Sequence, residues 1–442
     1  MKPNDAMVNA FVPGAATLSP DDAVLVARRT AALGPAYRLF YANPVHLVRG
    51  EGVWLYDKDG NAYLDTYNNV ASVGHCHPHV IAATARQSAI LSSHTRYLHE
   101  GVLDYAEKLL ATFPAPLSHV MFTCTGSEAN DLALRISREH TGGTGIIVTE
   151  NAYHGVTAAV AEISPALGPG VPLGAHVRTV PAPDPHRAPG GDVAASFTTA
   201  VQAAIDDLIR HGIKPAALIV DTVFSSDGVF CDPPGFLQGA VAAIRAAAGL
   251  FIADEVQPGF GRTGDTMWGF QRHGIVPDMA SLGKPMGNGY PVAGLVLRPE
   301  VVAEFGAKGR YFNTFGGNGT AVATAMAVLE VVEREGLQAN AKDVGRYFRD
   351  GLRDLASRHE AIGDVRGAGL FLGVELVSDR ATMAPDAART ARIVNALREA
   401  RILISATGPR ANVLKIRPPL VFSRANVDLF IDRLDQVMLA ER

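Results

Sequence analysis

The sequence predicts an α/β protein: a large domain with a mainly parallel sheet between helices, plus a smaller α+β domain built from the two chain ends. Three observations lead there. Between residues 75 and 315, short apolar runs alternate with helix-period segments, as strands buried on both faces require. From about residue 320 the pattern changes to long helices around brief strands. At 442 residues the chain is too long for one small core and suits a large domain with a second one attached.

Strands of the large domain are expected at 120–123, 146–149, 217–220, 250–253 and 295–297, each a short apolar run. Helix-period segments at 127–140, 196–211 and 234–247 fall between them, which places helices on both sheet faces. The stretch APDPHRAPGGD (182–192) reads as a surface excursion. Beyond it, helices at 321–335, 340–359, 387–400 and 425–440 flank strands near 370–375, 402–405 and 414–416. Residues 53–64 are expected to join this second group. The division is then 1–74 contributing to the small domain, 75–318 forming the large domain and 319–442 completing the small one.

Composition removes several function classes. A formal net charge of −4 gives no basic field for nucleic acid or an anionic membrane. The alanine-rich run 239–253 is interrupted by Arg245 and is too short to span a bilayer. The first thirty residues contain Asp5, Asp21 and Asp22 but no basic stretch leading into an apolar core, so no secretory signal is expected. Cys76, Cys124 and Cys231 are odd in number and widely spaced, which argues against a disulfide framework. The expectation is a cytoplasmic enzyme.

Several short stretches bear chemistry. Thr125-Gly126-Ser127-Glu128 follows a strand and opens a helix; Ser127 is placed to cap it, and the first-turn N–H groups form an anion site. Simple capping explains the same residues. Tyr153 follows the strand at 146–149, where an aromatic either stacks on a flat ring or packs. Asp254 ends an apolar strand, the place where open α/β sheets bind ligands; it suits a pyridinium nitrogen, a metal, a ribose or a helix dipole. His75, His77 and His79 flank Cys76, but no second ligand cluster accompanies them at zinc-like spacing, so no metal is expected. Gly142-Gly143-Thr144-Gly145 precedes a strand, the wrong order for a dinucleotide fingerprint. Finally, Lys284 sits between an apolar run and a loop of glycine, proline and asparagine. In chain order this supplies a phosphate site, an aromatic, an acid and a lysine, the parts needed to hold pyridoxal phosphate (PLP) as a Schiff base.

The chain resembles the class III PLP-dependent aminotransferases of fold type I over nearly its whole length. The stretches that carry the resemblance are TGSEAN (125–130), NAYHG (151–155), ADEVQPGFGRTG (253–264), GKPMGNGYPVAG (283–294) and NTFGGN (313–318). It implies that Lys284 binds the cofactor and acts as general base, and that Asp254 pairs with the ring nitrogen. It places Gln257 near the phenolic oxygen, Tyr153 on the ring face, and Gly126 and Ser127 at the phosphate. Thr314 would reach the phosphate of a neighbouring subunit, which implies a homodimer with shared active sites.

Within that family the chain is similar to the branch of ethanolamine-phosphate and phosphohydroxylysine phospho-lyases, through NNVASVGHCHP (68–78), RYLH (96–99) and ISATGPRANVLKIRPPLVF (404–422). Two departures from the aminotransferase pattern bear on mechanism. Where many members have EPVQGEGG, this chain has DTVFSSDG (221–228), so Ser226 takes the gating acid's position and Phe224 that of a glutamine. Where many carry an arginine three residues before Pro418-Pro419, this chain has Lys415, with Arg417 next to the prolines. A transaminase binds two substrates in turn and gains from a bidentate arginine and an acid that masks it. A lyase has one organic substrate and needs no such switch. The expected reaction is therefore elimination of phosphate from a phosphorylated amino alcohol, with phosphoethanolamine the simplest, and Arg96, Lys415 and Arg417 the candidates for its anion. Amino transfer from an amine to pyruvate or another keto acid is the alternative. A PLP-binding regulator would need a DNA-binding domain that the short N-terminal extension has neither the room nor the charge to supply.

Overall fold

The computed structural model describes residues 7–14 and 16–441. Seven strands form the central sheet: β1 (His119–Thr123), β2 (Gly145–Thr149), β3 (Val177–Val180), β4 (Pro215–Asp221), β5 (Leu250–Asp254), β6 (Met279–Leu282) and β7 (Ala293–Leu297). Their spatial order is β1-β7-β6-β5-β4-β2-β3. Only β7 runs against its neighbours; the pairs from β6 through β3 are parallel. Every residue of β2, β5, β6 and β7 is buried, which is why these strands read as continuous apolar runs rather than alternating ones.

Successive side chains serve opposite faces of the sheet. Ile146 and Val148 join one core with Leu132 and Ile136 of the helix Gly126–Thr141. Ile147 joins the other, with Val201 and Ile205 of the helix Val193–Arg210. The expected strands are all present. Two more, β3 and β6, were not among them: both are only four residues long, and β3 is an edge strand with two half-buried members.

The chain ends meet as expected. Strands Leu47–Glu51, Trp54–Asp57 and Ala62–Asp65 form a meander, and Ala62–Asp65 pairs in parallel with Ile402–Leu403. Tyr41, Val53 and Leu64 share a core with Phe348, Ile402 and Phe430. A second sheet follows the order Ile362–Ala368, Phe371–Asp379, Val413–Ile416, Ser405–Thr407. Helices Leu337–Arg358, Ala387–Glu399 and Arg424–Ala440 contribute buried faces to the same core.

Three expectations need correction. Ser127 is not the cap of its helix; Thr125, two residues earlier, is. The third large-domain helix spans Gln238–Ala246, because residues 234–237 form a turn after Pro233 rather than a first helical turn. The excursion at 182–192 runs over the surface but is not free. Asp184 is buried, His186 pairs with Asp364 at 3.2 Å, and Arg187 pairs with Asp184 and with Glu375. Among the described residues no helix is long and apolar enough to cross a membrane.

Helix Leu337–Arg358 lies hard against the turn joining the first two strands of the second sheet. A Cβ at Gly345 would stand 2.1 Å from the Gly369 carbonyl oxygen, which is backbone and cannot swing aside. Gly345→Ala is therefore expected to destabilise the protein by about 1–3 kcal/mol through overpacking, read as a lower urea midpoint at unchanged m-value.

Candidate active site

Because β4, β5 and β6 run the same way, their carboxyl ends open on one edge of the sheet. Asp221 and Asp254 are register partners there, and Gly283-Lys284 follows β6 directly. A cavity of about 280 Å³ opens at this edge, lined among others by Gly126, Ser127, Tyr153, His154, Asp254 and Lys284. Sequence-predicted Gln257 lines it too.

One corner is a helix N-terminus. Thr125 Oγ1 accepts from Glu128 N–H at 3.2 Å, while Glu128 Oε2 accepts from the N–H groups of Thr125 and Cys124 at 3.1 and 2.7 Å, closing a capping box. With capping supplied by Thr125, Ser127 Oγ is free to accept from Val156 N–H at 3.1 Å. Gly126 and Ser127 carry first-turn N–H groups that have no intrahelical acceptor and face an anion naturally. Gly155 makes the close approach possible: its φ is +141°, and a Cβ there would lie 2.4 Å from Ser127 Oγ.

The cavity floor holds Asp254. Its Oδ2 accepts from Asn130 Nδ2 at 3.0 Å and faces His154 Nδ1 at 2.7 Å; its Oδ1 accepts from Val256 N–H at 3.1 Å. Asn130 and His154 were not foreseen as site residues. The sign was available for Asn130, a polar residue on the buried face of an amphipathic helix. His154 Nε2 is buried with no hydrogen-bond partner.

Lys284 is held by its loop rather than by its own bonds. Ser72 Oγ donates to Pro285 O at 3.0 Å, Asn288 Oδ1 accepts from Val73 N–H at 3.0 Å, and Asn288 Nδ2 donates to Gly74 O at 2.8 Å. The Lys284 amine has no hydrogen-bond or ion-pair partner among the described residues. Burial first, then the Arg417 charge, hold its ammonium below the ordinary lysine range. Tyr153, just over a third exposed, lines the opposite side, and burial raises its phenol pKa.

Behind Gln257, toward the small domain, lie two cations. Arg417 Nη1 donates to Gln257 Oε1, Gln257 Nε2 donates to Ser225 Oγ at 2.5 Å, and the guanidinium lies 4.3 Å from the Tyr67 ring centroid. Lys415 is buried behind it, its pKa driven well down by burial and then by Arg417. Asp221 and Asp227 face Lys415 electrostatically. Burial raises both carboxyls, Asp227 to about 7. Ser226 offers its carbonyl to Asn151 Nδ2 at 2.5 Å and to Gly408 N–H at 3.1 Å. Phe224 points away, packing with Phe197 and Phe236 in the large core.

Four expected residues do not line the cavity: Arg417 reaches it through Gln257, Lys415 lies behind Arg417, and two lie elsewhere on this chain. Arg96 is exposed, its guanidinium 3.7 Å from the Phe312 ring centroid, and does not line the cavity. Thr314 is exposed in the adjoining stretch and does not line it either. The three histidines around Cys76 bond to three separate carboxylates: His75 to Asp65, His77 to Glu335 and His79 to Glu330. Among the described residues no group of three or more His, Cys, Asp or Glu is placed to hold a metal.

The set fits PLP. Unpaired helix N–H groups suit its phosphate, a buried acid backed by Asn130 and His154 suits its ring nitrogen, and an unpartnered amine suits its carbonyl. The neutral amine is the reactive form, so a lowered pKa makes Lys284 nucleophilic at lower pH. In competitive acetylation of the cofactor-free protein, Lys284 should titrate below the ordinary value of about 10.4. Arg417→Met removes the second cause and should move the midpoint upward; an unchanged midpoint would show that Arg417 does not act on Lys284.

Comparison with known proteins agrees. Residues 40–438 match the Aminotransferase class-III family. An alanine–glyoxylate aminotransferase 2-like protein of Drosophila melanogaster is 41% identical over 418 residues, 91% of this chain and 84% of its own length. Ethanolamine-phosphate phospho-lyase homolog 1 of Caenorhabditis elegans is 37% identical over 434 residues, 94% and 93% of the two chains. The solved structure of a phospholyase from Arthrobacter in complex with phosphoethanolamine superposes with a TM-score of 0.91 at 43% identity, covering 94% of this chain and 99% of that one. The chain belongs to the class-III aminotransferase family of PLP-dependent enzymes.

Proposed function

We propose that the chain is a cytoplasmic PLP-dependent carbon–oxygen lyase acting on a phosphorylated amino alcohol, O-phosphoethanolamine in the simplest case. The products are acetaldehyde, ammonia and inorganic phosphate. The observation that carries this reading is Lys415: it is buried, among the described residues no carboxylate is bonded to it, and Ser226 stands where the gating acid of a two-substrate enzyme would. A fixed cationic wall suits one anionic substrate, whereas alternating substrates call for a switch. The likeness to a phospholyase that binds phosphoethanolamine supports the same choice.

When bound, PLP supplies a carbonyl that captures the substrate amine and a protonated ring that takes up electrons. Gly126 and Ser127 would hold its phosphate, and Asp254, fixed by Asn130 and His154, would pair with its ring nitrogen. Lys284 Nζ, uncharged more readily than an ordinary lysine, takes the proton from the carbon bearing the nitrogen. Arg417, with Lys415 behind it, steadies the phosphate oxygens as the adjacent C–O bond breaks and the carbon electron pair forms the new C=C bond. The released two-carbon fragment takes up water and gives acetaldehyde and ammonia.

In the same reading two copies pair across the exposed stretch containing Tyr97, Leu98, Phe312 and Phe315, with Thr314 reaching the partner's phosphate corner. The second reading is amino transfer from an amine to a keto acid, favoured by the relative named as an aminotransferase. The test omits any keto acid: purified holoenzyme with phosphoethanolamine should release phosphate and acetaldehyde in equal amounts, and Lys284→Ala should abolish both. No phosphate, together with fast amino transfer from an amine to pyruvate, would overturn the lyase in favour of the transaminase.

A further inference from the structure

Asn9 lies in the N-terminal segment, outside every motif, yet it is 1% exposed. Its Oδ1 accepts from Ser405 Oγ at 2.9 Å, and its carbonyl accepts from Tyr41 N–H at 2.5 Å. The Tyr41 hydroxyl bonds both backbone groups of Ile404, at 2.9 and 3.1 Å. The N-terminal segment is thereby pinned to the strand Ser405–Thr407.

That strand pairs with Val413–Ile416, which carries Lys415. Ser405 is the direct antiparallel partner of Lys415, so the two side chains leave one face of the sheet together. Thr407, two residues on and on the same face, donates to the Ser225 carbonyl at 2.9 Å. Arg417, two residues beyond Lys415, bonds Gln257, which lines the cavity. Two buried donors here, Asn9 Nδ2 and Arg417 Nε, have no hydrogen-bond partner, on residues 1% and 8% exposed. The Lys415 ammonium, on a residue 5% exposed, lies 5.8 Å from the Phe371 ring centroid. Buried donors are satisfied in native structures, and leaving one unmade is costly. Two unmade beside a buried cation point to atoms that arrive with a ligand.

Their chemistry selects the ligand. A carboxylate has two coplanar oxygens and is best met by one guanidinium fork. A phosphomonoester has three terminal oxygens and two negative charges, matching three separate donors of which two are cationic. We infer that Asn9 is the third donor, with Lys415 and Arg417, of a phosphate-binding site, and so a specificity-determining residue for phosphorylated over carboxylated amines. The inference rests on the lyase reading for its substrate class, but the site is testable without turnover.

The experiment uses the full-length, cofactor-loaded protein and the variants Asn9→Ala and Asn9→Asp. Inorganic phosphate binding is measured by calorimetry, KM for phosphoethanolamine by phosphate release, and ethanolamine binding by the change it makes in the cofactor absorbance. Loss of one charge-assisted hydrogen bond should weaken phosphate binding and raise KM about tenfold in Asn9→Ala. Asn9→Asp, which adds a negative charge, should weaken both further. Ethanolamine, which lacks the phosphate, should bind all three proteins alike. Unchanged phosphate affinity in both variants overturns the inference, as does an equal loss of ethanolamine binding, which would mark Asn9 as merely structural. If phosphoethanolamine is not turned over while phosphate binding still falls in both variants, the lyase reading fails and the phosphate site stands.

Discussion

The site depends on one constraint, the shared direction of β4, β5 and β6. Parallel pairing in register puts Asp221, Asp254 and Ser281 side by side at the sheet edge. It also makes the residues just beyond them neighbours. Behind the edge, Thr222 Oγ1 donates to Glu255 Oε1 at 2.9 Å, and Glu255 also accepts from the N–H groups of Gly269 and Phe270 at 2.7 and 2.8 Å. β4 and β5 therefore each end with a carboxylate on the cavity, Asp221 and Asp254, followed by a side chain bonded into the scaffold, Thr222 and Glu255. A one-residue slip in register would exchange those roles throughout.

The scaffold holds charges that water would solvate better. Lys415 and Asp227 are buried, and Asp227 Oδ1 has no hydrogen-bond partner. The shifts follow the expected directions: desolvation drives the lysines down and the carboxyls up. Such strain is sustained by the packing around it, here two cores on the faces of the sheet and a third shared by the chain ends. Perturbed groups of this kind gather where chemistry is done, because an amine or acid must sit near its working pH to exchange protons.

What the sequence made legible follows from these physics. Continuous apolar runs at β2, β5 and β7 were readable because burial on both faces removes alternation. The strand-end acid and the loop lysine were readable because the sheet's direction fixes where such residues lie. The cap was misplaced because Thr125 and Ser127 are equally good capping chemistry, and only the position of Glu128 three residues on distinguishes them. Neither β3 nor the clamp on residues 184–187 left a local signal: one is a half-exposed edge, and the other depends on Asp364 and Glu375, nearly two hundred residues away. Asn9 is the extreme case. Nothing around it in sequence suggests function, and its setting is made by Ser405 and Tyr41, contacts that only folding creates.

This distribution bears on how reaction type varies within one fold. The groups that suit the cofactor sit on the large domain's strand ends and helix N-terminus; Asp254 is fixed by Asn130 and His154, and the Lys284 loop is held by Ser72, Val73 and Gly74. The cationic wall comes instead from Val413–Ile416, the Pro418 side of it and the N-terminal segment. Arg262 ties the two together, fully buried and donating to the carbonyls of Leu370 and Pro418. On the proposed function, substitutions at positions 9, 226 and 415 would change what is held opposite Lys284 without touching the bonds that fix Asp254. In our reading the same lysine removes the same proton in a lyase and in a transaminase. What differs is whether the next carbon bears a phosphate that the small-domain wall can hold as it leaves.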